Sequence, residues 1–138
     1  MEKKSTMDTK AAMDTKAARE TNAAMMVALP DALAQRQLDA YNAHDIEAFA
    51  AVFAENVEAY ELPTMALLFA GRDALRERYA PYFQEQRPAA TLVSPRVCVG
   101  DFVIDTERVL LADGRVLSAV ALYQIEGEAI RRMWFIRG

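Results

Sequence analysis

Residues 41 to 60, YNAHDIEAFAAVFAENVEAY, combine the end of one helix, a tight break, a second amphipathic helix and the start of a strand. Asp45 is placed to cap the second helix, because a short acidic side chain can accept a hydrogen bond from first-turn amides. Apolar residues at helical spacing predict the buried face of that helix, and one more follows a turn later: Ile46, Phe49, Ala50 and Phe53, then Val57. This order predicts a domain in which helices precede a sheet.

A first helix is predicted after Pro30, with Asp31 as its N-terminal cap. Its inward positions would include Leu33, Gln37, Leu38 and Tyr41. A third helix is predicted from Asp73, with apolar residues at spacings of four: Leu75, Tyr79 and Phe83. Pro81 should kink or split this helix, because proline removes a backbone donor, and Pro88 should end it.

Between the second and third helices, residues 58–69 are apolar and interrupted by Pro63, which predicts an edge strand or two short strands meeting at a bend. From Thr91 onward four β segments are predicted, at about 91–99, 102–111, 115–125 and 129–137. Gly100-Asp101, Asp113-Gly114 and Glu126-Gly127 mark the turns between them. The pattern predicts an α+β domain with about three helices packed on the concave side of a strongly curved, mainly antiparallel sheet.

Composition limits the classes of function. The chain has 138 residues, 53% of them hydrophobic, which is enough for one compact domain. A formal net charge of −4 argues against a nucleic-acid partner. Cys98 and His44 are the single cysteine and histidine, so an intramolecular disulfide and a multi-histidine metal site are both excluded. No segment has the length of a membrane span, and we expect a cytoplasmic protein without a membrane partner.

Residues 1–28 differ from the rest of the chain. The sequence MDTKAA occurs at Met7 and again at Met13, followed by the looser RETNAA from Arg19. Few large apolar residues occur here, so we expect a flexible low-complexity tail before a domain spanning residues 29–138. A secretory signal around AAMMVAL is the alternative. It is disfavoured because the preceding charged region is long and contains acids.

Four stretches carry a family resemblance: YNAHDIEAFAAVFAENV, GRDALRERY, VIDTERV and LYQIEGEAIRRMWFIR. In this order they resemble SnoaL-like members of the nuclear transport factor two-like superfamily, over about residues 31–137. That superfamily includes ketosteroid isomerases, limonene-epoxide hydrolases and polyketide cyclases. The resemblance implies a cone-shaped barrel around a pocket for a small hydrophobic ligand, no cofactor, and a homodimer formed through the outer faces of the sheets.

Against the ketosteroid isomerase pattern, the resemblance places the carboxylate base at Glu61. The tyrosine position falls on Gln37, which could donate a weaker hydrogen bond, and the acidic donor position falls on Ala121, which can donate none. Losing one strong oxyanion donor removes about 3 kcal/mol of transition-state stabilisation. The resemblance therefore disfavours steroid isomerisation of the usual kind.

Against the epoxide hydrolase pattern, Tyr60 and Arg108 match. The two carboxylate positions hold Leu110 and Trp134, and neither side chain can transfer a proton. The resemblance therefore disfavours epoxide hydrolysis by that mechanism.

The remaining candidate catalytic residues are Glu61, Tyr60 and Arg108. Candidate ligand-binding residues are Gln37, Tyr41, Phe53, Ala119, Ala121, Arg132 and Trp134. Tyr60 and Glu61 are adjacent, so a regular strand would point only one of them into the pocket. Two functions stay open: a cofactor-independent isomerase- or cyclase-type enzyme that transfers a proton on a small hydrophobic carbonyl compound, and a non-catalytic module that binds such a ligand or mediates dimeric interaction.

Overall fold

The computed structural model describes residues 29–138; the tail, repeat and signal predictions for residues 1–28 lie outside this range. Residues 29–43 form α1 as far as it is described, Ile46–Ala51 forms α2 and Arg72–Gln86 forms α3. The seven strands are β1 Phe53–Glu61, β2 Ala66–Ala70, β3 Ala89–Leu92, β4 Val97–Val99, β5 Phe102–Leu110, β6 Val116–Glu126 and β7 Ala129–Arg137.

One sheet contains all seven strands, in the order β2-β1-β7-β6-β5-β3, with β4 also paired to β5. Every pairing is antiparallel except that of β1 with β7, which is parallel. Register irregularities in β1 and β6 mark points where such a sheet bends. The predicted α+β class is confirmed, and the sheet stays unclosed, with β2 at one edge and β3 and β4 at the other.

The second helix is shorter than predicted. Asp45 caps it as expected, its Oδ1 accepting from the Ala48 amide at 3.1 Å. The helix ends at Ala51, however, and Phe53 and Val57 are buried from strand β1. The reason is tertiary pairing: the Val52 carbonyl accepts from the Ile130 amide at 3.0 Å, which joins this segment to the start of β7. Sheet pairing here overrides a periodicity that also suits a helix.

Two other helix predictions need correction. Asp31 does not cap α1, because residues 29 and 30 are already helical, and its carboxylate instead receives Arg96 Nη1 at 3.3 Å. Pro81 does not split α3, which is continuous over 15 residues. Pro81 and the preceding-turn residue Glu77 are both exposed, so water can satisfy the carbonyl that loses its helical partner.

The predicted β segments are confirmed except for the first, which residues 93–96 divide into β3 and β4. Gly114 adopts a φ of +89° in the Asp113-Gly114 turn, the left-handed region that glycine favours. Residues 58–69 form two strands joined around Pro63, the second of the predicted alternatives.

The helices cover the concave face of the sheet. An aromatic cluster lies between them, with ring centroids 4.9 Å apart for Phe49 and Phe53 and 5.3 Å apart for Phe49 and Phe83. Leu75 and Phe83 are buried, as their spacing predicts. Asn42 ties α1 to β3 by donating to the Ala90 carbonyl and accepting from its amide. These contacts hold α1 and α3 over β5, β6 and β7, where the main cavity opens.

Candidate functional site

A cavity of about 400 Å³ lies between α1, α3 and strands β5–β7. Its floor consists of the buried residues Tyr41, Val109 and Phe135. Exposed residues of α3 and β7, Arg78 and Arg137, lie at its mouth. Apolar walls with a few polar groups, in a volume of this size, are typical of small-molecule sites.

Glu107 is the one acidic side chain among the described residues that line this cavity. The inward face of β5 runs Val103, Asp105, Glu107, Val109, so Glu107 sits in an otherwise largely buried row. It lies opposite Ala119 on β6, whose small side chain leaves space in front of the carboxylate. Burial raises the pKa of Glu107 to about 7, and the charge of nearby Asp105 raises it further while that of Arg96 lowers it.

Three tyrosines face the same cavity. The hydroxyls of Tyr41 and Tyr82 are 2.6 Å apart and hydrogen-bonded. Burial raises the pKa of Tyr79 to about 12 and raises the pKa of Tyr41 and Tyr82 as well. The Glu107 charge contributes to each of these increases, so all three phenols lie within its field. Neutral phenols at physiological pH are hydrogen-bond donors, and a carboxyl group with a pKa near 7 can accept or release a proton.

Asp105, the next acid on that strand face, is already paired. Arg96 donates to it through Nε at 2.7 Å and Nη2 at 3.1 Å, and both side chains are buried. Arg96 Nη1 also donates to the Asp31 carbonyl and to Gln35 Oε1, both at 3.2 Å. The pair therefore connects α1, the segment before β4, and β5, which makes Asp105 a structural carboxylate rather than one open to a ligand.

Of the residues predicted to bind ligand, Tyr41 and Ala119 line the cavity. Gln37, Phe53 and Ala121 are buried in the core instead. The hydroxyl of Tyr123 donates to Gln37 Oε1 at 3.2 Å, so the amide oxygen is satisfied within the protein. Ala121 lies opposite Asp105 on the neighbouring strand.

Tyr60, Arg132 and Trp134 lie on the convex face of the sheet, away from the cavity. The Tyr60 and Trp134 rings stack at 6.2 Å, and the Tyr60 hydroxyl donates to Glu58. The family resemblance placed Trp134 on the inner face, which in a regular strand Trp134 would share with Ile130. An irregularity where β6 pairs with β7 breaks that alternation, so Ile130, Met133 and Phe135 face the core.

Arg108 and Glu61 also lie outside the cavity. Arg108 is exposed and borders a shallower groove of about 250 Å³, which shares Glu107, Ala119 and Arg137, among others, with the cavity. Glu61 is the last residue of β1, partly buried beside Phe135, and its carbonyl accepts from the Met65 amide at 2.7 Å. The structure thus brings together none of the three predicted catalytic residues in the cavity.

Sequence reasoning did not select Glu107 or Tyr82, and it selected Tyr79 only as an inward helix position. A signal for Glu107 was present in the sequence. Two acids lie between two valines on one face of β5, whereas a buried strand face is normally apolar. Polar residues that recur on a predicted core face therefore indicate a functional site or a buried ion pair. On β5 Glu107 belongs to the candidate site, and Asp105 belongs to a buried ion pair with Arg96.

Within residues 29–138 no three histidine, cysteine, aspartate or glutamate side chains are grouped as metal ligands would be. No helix in the described part of the chain combines the length and apolarity needed to cross a membrane.

Comparisons with known proteins agree with this architecture. A candidate ketosteroid isomerase from Kribbella flavida DSM 17836 is similar in fold, with 20% identity, 81% of this chain and 79% of that chain covered, and a TM-score of 0.71. An NTF2-like protein of unknown function from Mesorhizobium loti has 20% identity, with 81% of this chain and 93% of that chain covered, and a TM-score of 0.70. The epoxide hydrolase/cyclase-like enzyme SalBIII of pyran ring formation in the polyether salinomycin has 15% identity, with 79% of this chain and 90% of that chain covered, and a TM-score of 0.68.

Among the curated proteins none matches the chain. The model of the SnoaL-like domain matches residues 34–133, from within α1 to within β7. The chain belongs to the SnoaL-like domain family.

Proposed function

We propose that this protein is a cofactor-independent isomerase- or cyclase-type enzyme that transfers a proton on a small hydrophobic carbonyl compound, with Glu107 as the acid–base group. The observation that carries the proposal is the Glu107 carboxyl group, which faces an aromatic cavity of about 400 Å³ and has a pKa raised to about 7. The similar folds of a candidate isomerase and a cyclase-like enzyme support this class of chemistry.

The reaction follows from the positions of the groups. The Glu107 carboxylate removes a proton from the carbon next to the substrate carbonyl, and the electron pair moves onto the carbonyl oxygen to form an enolate. The protonated carboxyl group then returns that proton to another carbon of the conjugated system, which completes an isomerisation. Alternatively, the enolate carbon attacks a second carbonyl carbon of the same substrate, the π electron pair of that carbonyl moves onto its oxygen, and the carboxyl group protonates this oxygen, which completes a cyclisation and restores the carboxylate. No oxidant or reductant is needed.

The paired hydroxyls of Tyr41 and Tyr82 supply the donor for the enolate oxygen. Because they are hydrogen-bonded at 2.6 Å, one hydroxyl donates to the other, and the accepting hydroxyl keeps its own proton free for a ligand. This arrangement replaces the donors that the family pattern would place at Gln37 and Ala121, which are buried in the core. A buried, neutral donor is preorganised and stabilises a developing oxyanion strongly.

The test uses cyclohex-3-en-1-one, whose conversion to the conjugated ketone is followed by ultraviolet absorbance. Wild-type protein is expected to accelerate the reaction, and Glu107→Gln to lower the rate by about 100- to 10,000-fold, the usual contribution of a general base. The wild-type rate should rise with pH through about 7, because the carboxylate form is the base and the pKa of Glu107 is raised to about 7.

Two further variants make the result specific. Glu126→Gln removes an exposed carboxylate at the end of β6, outside the cavity, and should keep the wild-type rate. Glu61→Gln tests the alternative base. Loss of activity in Glu61→Gln with full activity in Glu107→Gln would assign the role to Glu61, and equal rates in all four proteins would favour a non-catalytic ligand-binding module.

We also propose that the protein is a homodimer formed through the convex face of the sheet. Strand registers place one apolar row across that face: Leu67, Tyr60, Trp134, Leu122, Ile104 and Val97. Beside the row, Arg131 Nη1 and Glu58 Oε1 pair at 2.7 Å. A face that carries an apolar row together with both signs of charge can pair with a copy of itself around a two-fold axis.

Trp134→Arg is expected to convert the dimer to a monomer, because it places a charge in the middle of the apolar row. Sedimentation equilibrium of wild type and variant measures the mass directly. Arg36→Glu changes the charge of an exposed residue of α1, outside the sheet, and should leave the mass of the oligomer unchanged. A monomeric wild type, or a dimeric Trp134→Arg protein, would contradict the proposed interface.

A further inference from the structure

The mouth of the cavity carries two arginines that the proton-transfer chemistry does not use. Arg78 comes from α3 and Arg137 from the end of β7, and both line the cavity. Neither forms an ion pair with an acidic side chain of residues 29–138, whereas Arg76, two residues earlier on the same helix, is paired with Glu47 and Asp73. Two cations therefore face the opening without an ion pair in the described part of the chain, and Glu107 is the acidic side chain that shares the cavity with them.

Aromatic rings hold both guanidinium groups in place. Arg137 lies over the Phe135 ring at 5.4 Å, and Arg78 lies over the Phe69 ring at 5.7 Å. Stacking of this kind occupies the face of the guanidinium and leaves its edge N–H groups directed away from the ring, where they can bind an anion. Arg78, Tyr79 and Arg137 all line the cavity, and the charges of the two arginines partly offset the rise that burial causes in the pKa of Tyr79.

The cavity thus has two chemically different regions. Glu107, Ala119 and Arg137 lie in one row across β5, β6 and β7, so two strand spacings, about 10 Å, separate the strand positions of Glu107 and Arg137. Ala119 lies between them, and Val109, Leu117 and Phe135 add apolar surface to the lining. A ligand that satisfies both regions has an apolar body, a neutral carbonyl at the Glu107 end and an anionic group at the arginine end.

We infer that the cavity selects ligands that carry a carboxylate on an apolar body, with the carboxylate held between Arg78 and Arg137. A planar carboxylate suits the edge of a guanidinium, which can donate two parallel hydrogen bonds to it. The inference rests on the proposed function, since it places the carboxylated substrate in the cavity that contains Glu107, and it adds the class of compound that this site accepts.

The test compares two probes with the same aromatic body, 2-naphthoate and 2-acetonaphthone, by isothermal titration calorimetry at about pH 6, where Glu107 is mostly protonated. Wild-type protein is expected to bind the carboxylate at least about tenfold more tightly than the ketone. The double variant Arg78→Gln with Arg137→Gln should lose this preference while keeping its affinity for the ketone. The control double variant Arg36→Gln with Arg76→Gln has the same net charge and should keep the preference.

Each outcome separates this inference from the proposed function. Equal binding of both probes by wild type, or an undiminished preference in the Arg78 and Arg137 double variant, overturns the carboxylate inference. Glu107-dependent isomerisation of cyclohex-3-en-1-one can still be observed in that case. Failure of both probes to bind overturns the carboxylate inference. The proposed function is contradicted only if the isomerisation of cyclohex-3-en-1-one is absent too.

Discussion

Arg96→Met is expected to lower the free energy of unfolding by about 3–5 kcal/mol, the cost of leaving a buried charge without its partner. Asp105 is 1% exposed and receives two hydrogen bonds from Arg96. Methionine keeps an apolar stem of similar length, so the loss reports the missing guanidinium rather than a large cavity. Urea denaturation at neutral pH, followed by tryptophan fluorescence, measures the change.

The matched control is Asp31→Ala, which removes the exposed partner of the same guanidinium and should cost less than about 1 kcal/mol. The double variant Arg96→Met with Asp105→Val replaces both charges with apolar groups and should recover most of the lost stability. A loss below about 1 kcal/mol for Arg96→Met alone would show that Asp105 is hydrated and that the pair does not hold α1 to the sheet.

Glu107→Gln is expected to stabilise the protein at about pH 8 by up to about 3 kcal/mol while it abolishes proton transfer. The pKa of Glu107 is raised from 4.5 to about 7, so the folded protein retains a proton that the unfolded chain releases. Stability from this group is therefore fully present below about pH 4.5 and is lost as the pH rises through about 7. The difference of about 2.5 pKa units corresponds to about 3 kcal/mol.

The measurement is the difference in free energy of unfolding between wild type and Glu107→Gln at several pH values from about 4.5 to 8. The difference should grow in favour of the variant as pH rises and level off above about 7. Using the difference removes the contributions of other carboxylates, which titrate equally in both proteins. A difference that does not change with pH would mean that the carboxylate is solvated, and it would remove the basis for Glu107 as an acid–base group.

Two neighbouring acids on one strand face are thus expected to have opposite effects on stability. Asp105 contributes to stability because its charge is paired with Arg96. Glu107 reduces stability at neutral pH because its charge has little compensation, and that same feature fits it for proton transfer. Functional sites commonly contain such locally unfavourable groups, because a reactive group must remain available to a ligand rather than satisfied within the protein.

Local patterns in the sequence were sufficient for most of the elements. The Asp45 cap, the spacing of Leu75 and Phe83, and the Asp113-Gly114 turn each depend on interactions within a few residues, and the structure confirms them. The end of α2 was not predictable in this way, because the hydrogen bond from Ile130 to the Val52 carbonyl joins residues far apart in the chain.

The candidate site depended on the same kind of long-range information. Counting alternate residues assigns a strand face correctly only while the strand is regular, and the irregularity where β6 pairs with β7 separates Arg132 and Trp134 from the inner face that Ile130 keeps. Glu61 keeps the face of Val57 and Ala59, since β1 pairs regularly with β7 from Glu58 to Glu61, but it is the last residue of the strand and does not line the cavity. Short-range periodicity carries no information on where a sheet bulges.

The sequence by itself determined the class of fold and the order of helices and strands, because capping, periodicity and turn chemistry act locally. The family followed from the resemblance of four stretches of the chain. Only the tertiary structure decided which acid is free and which is paired. Asp105 and Glu107 are two residues apart on one strand face, and their different roles arise because Arg96, tied to α1, reaches the first, whereas the cavity beneath α3 opens in front of the second.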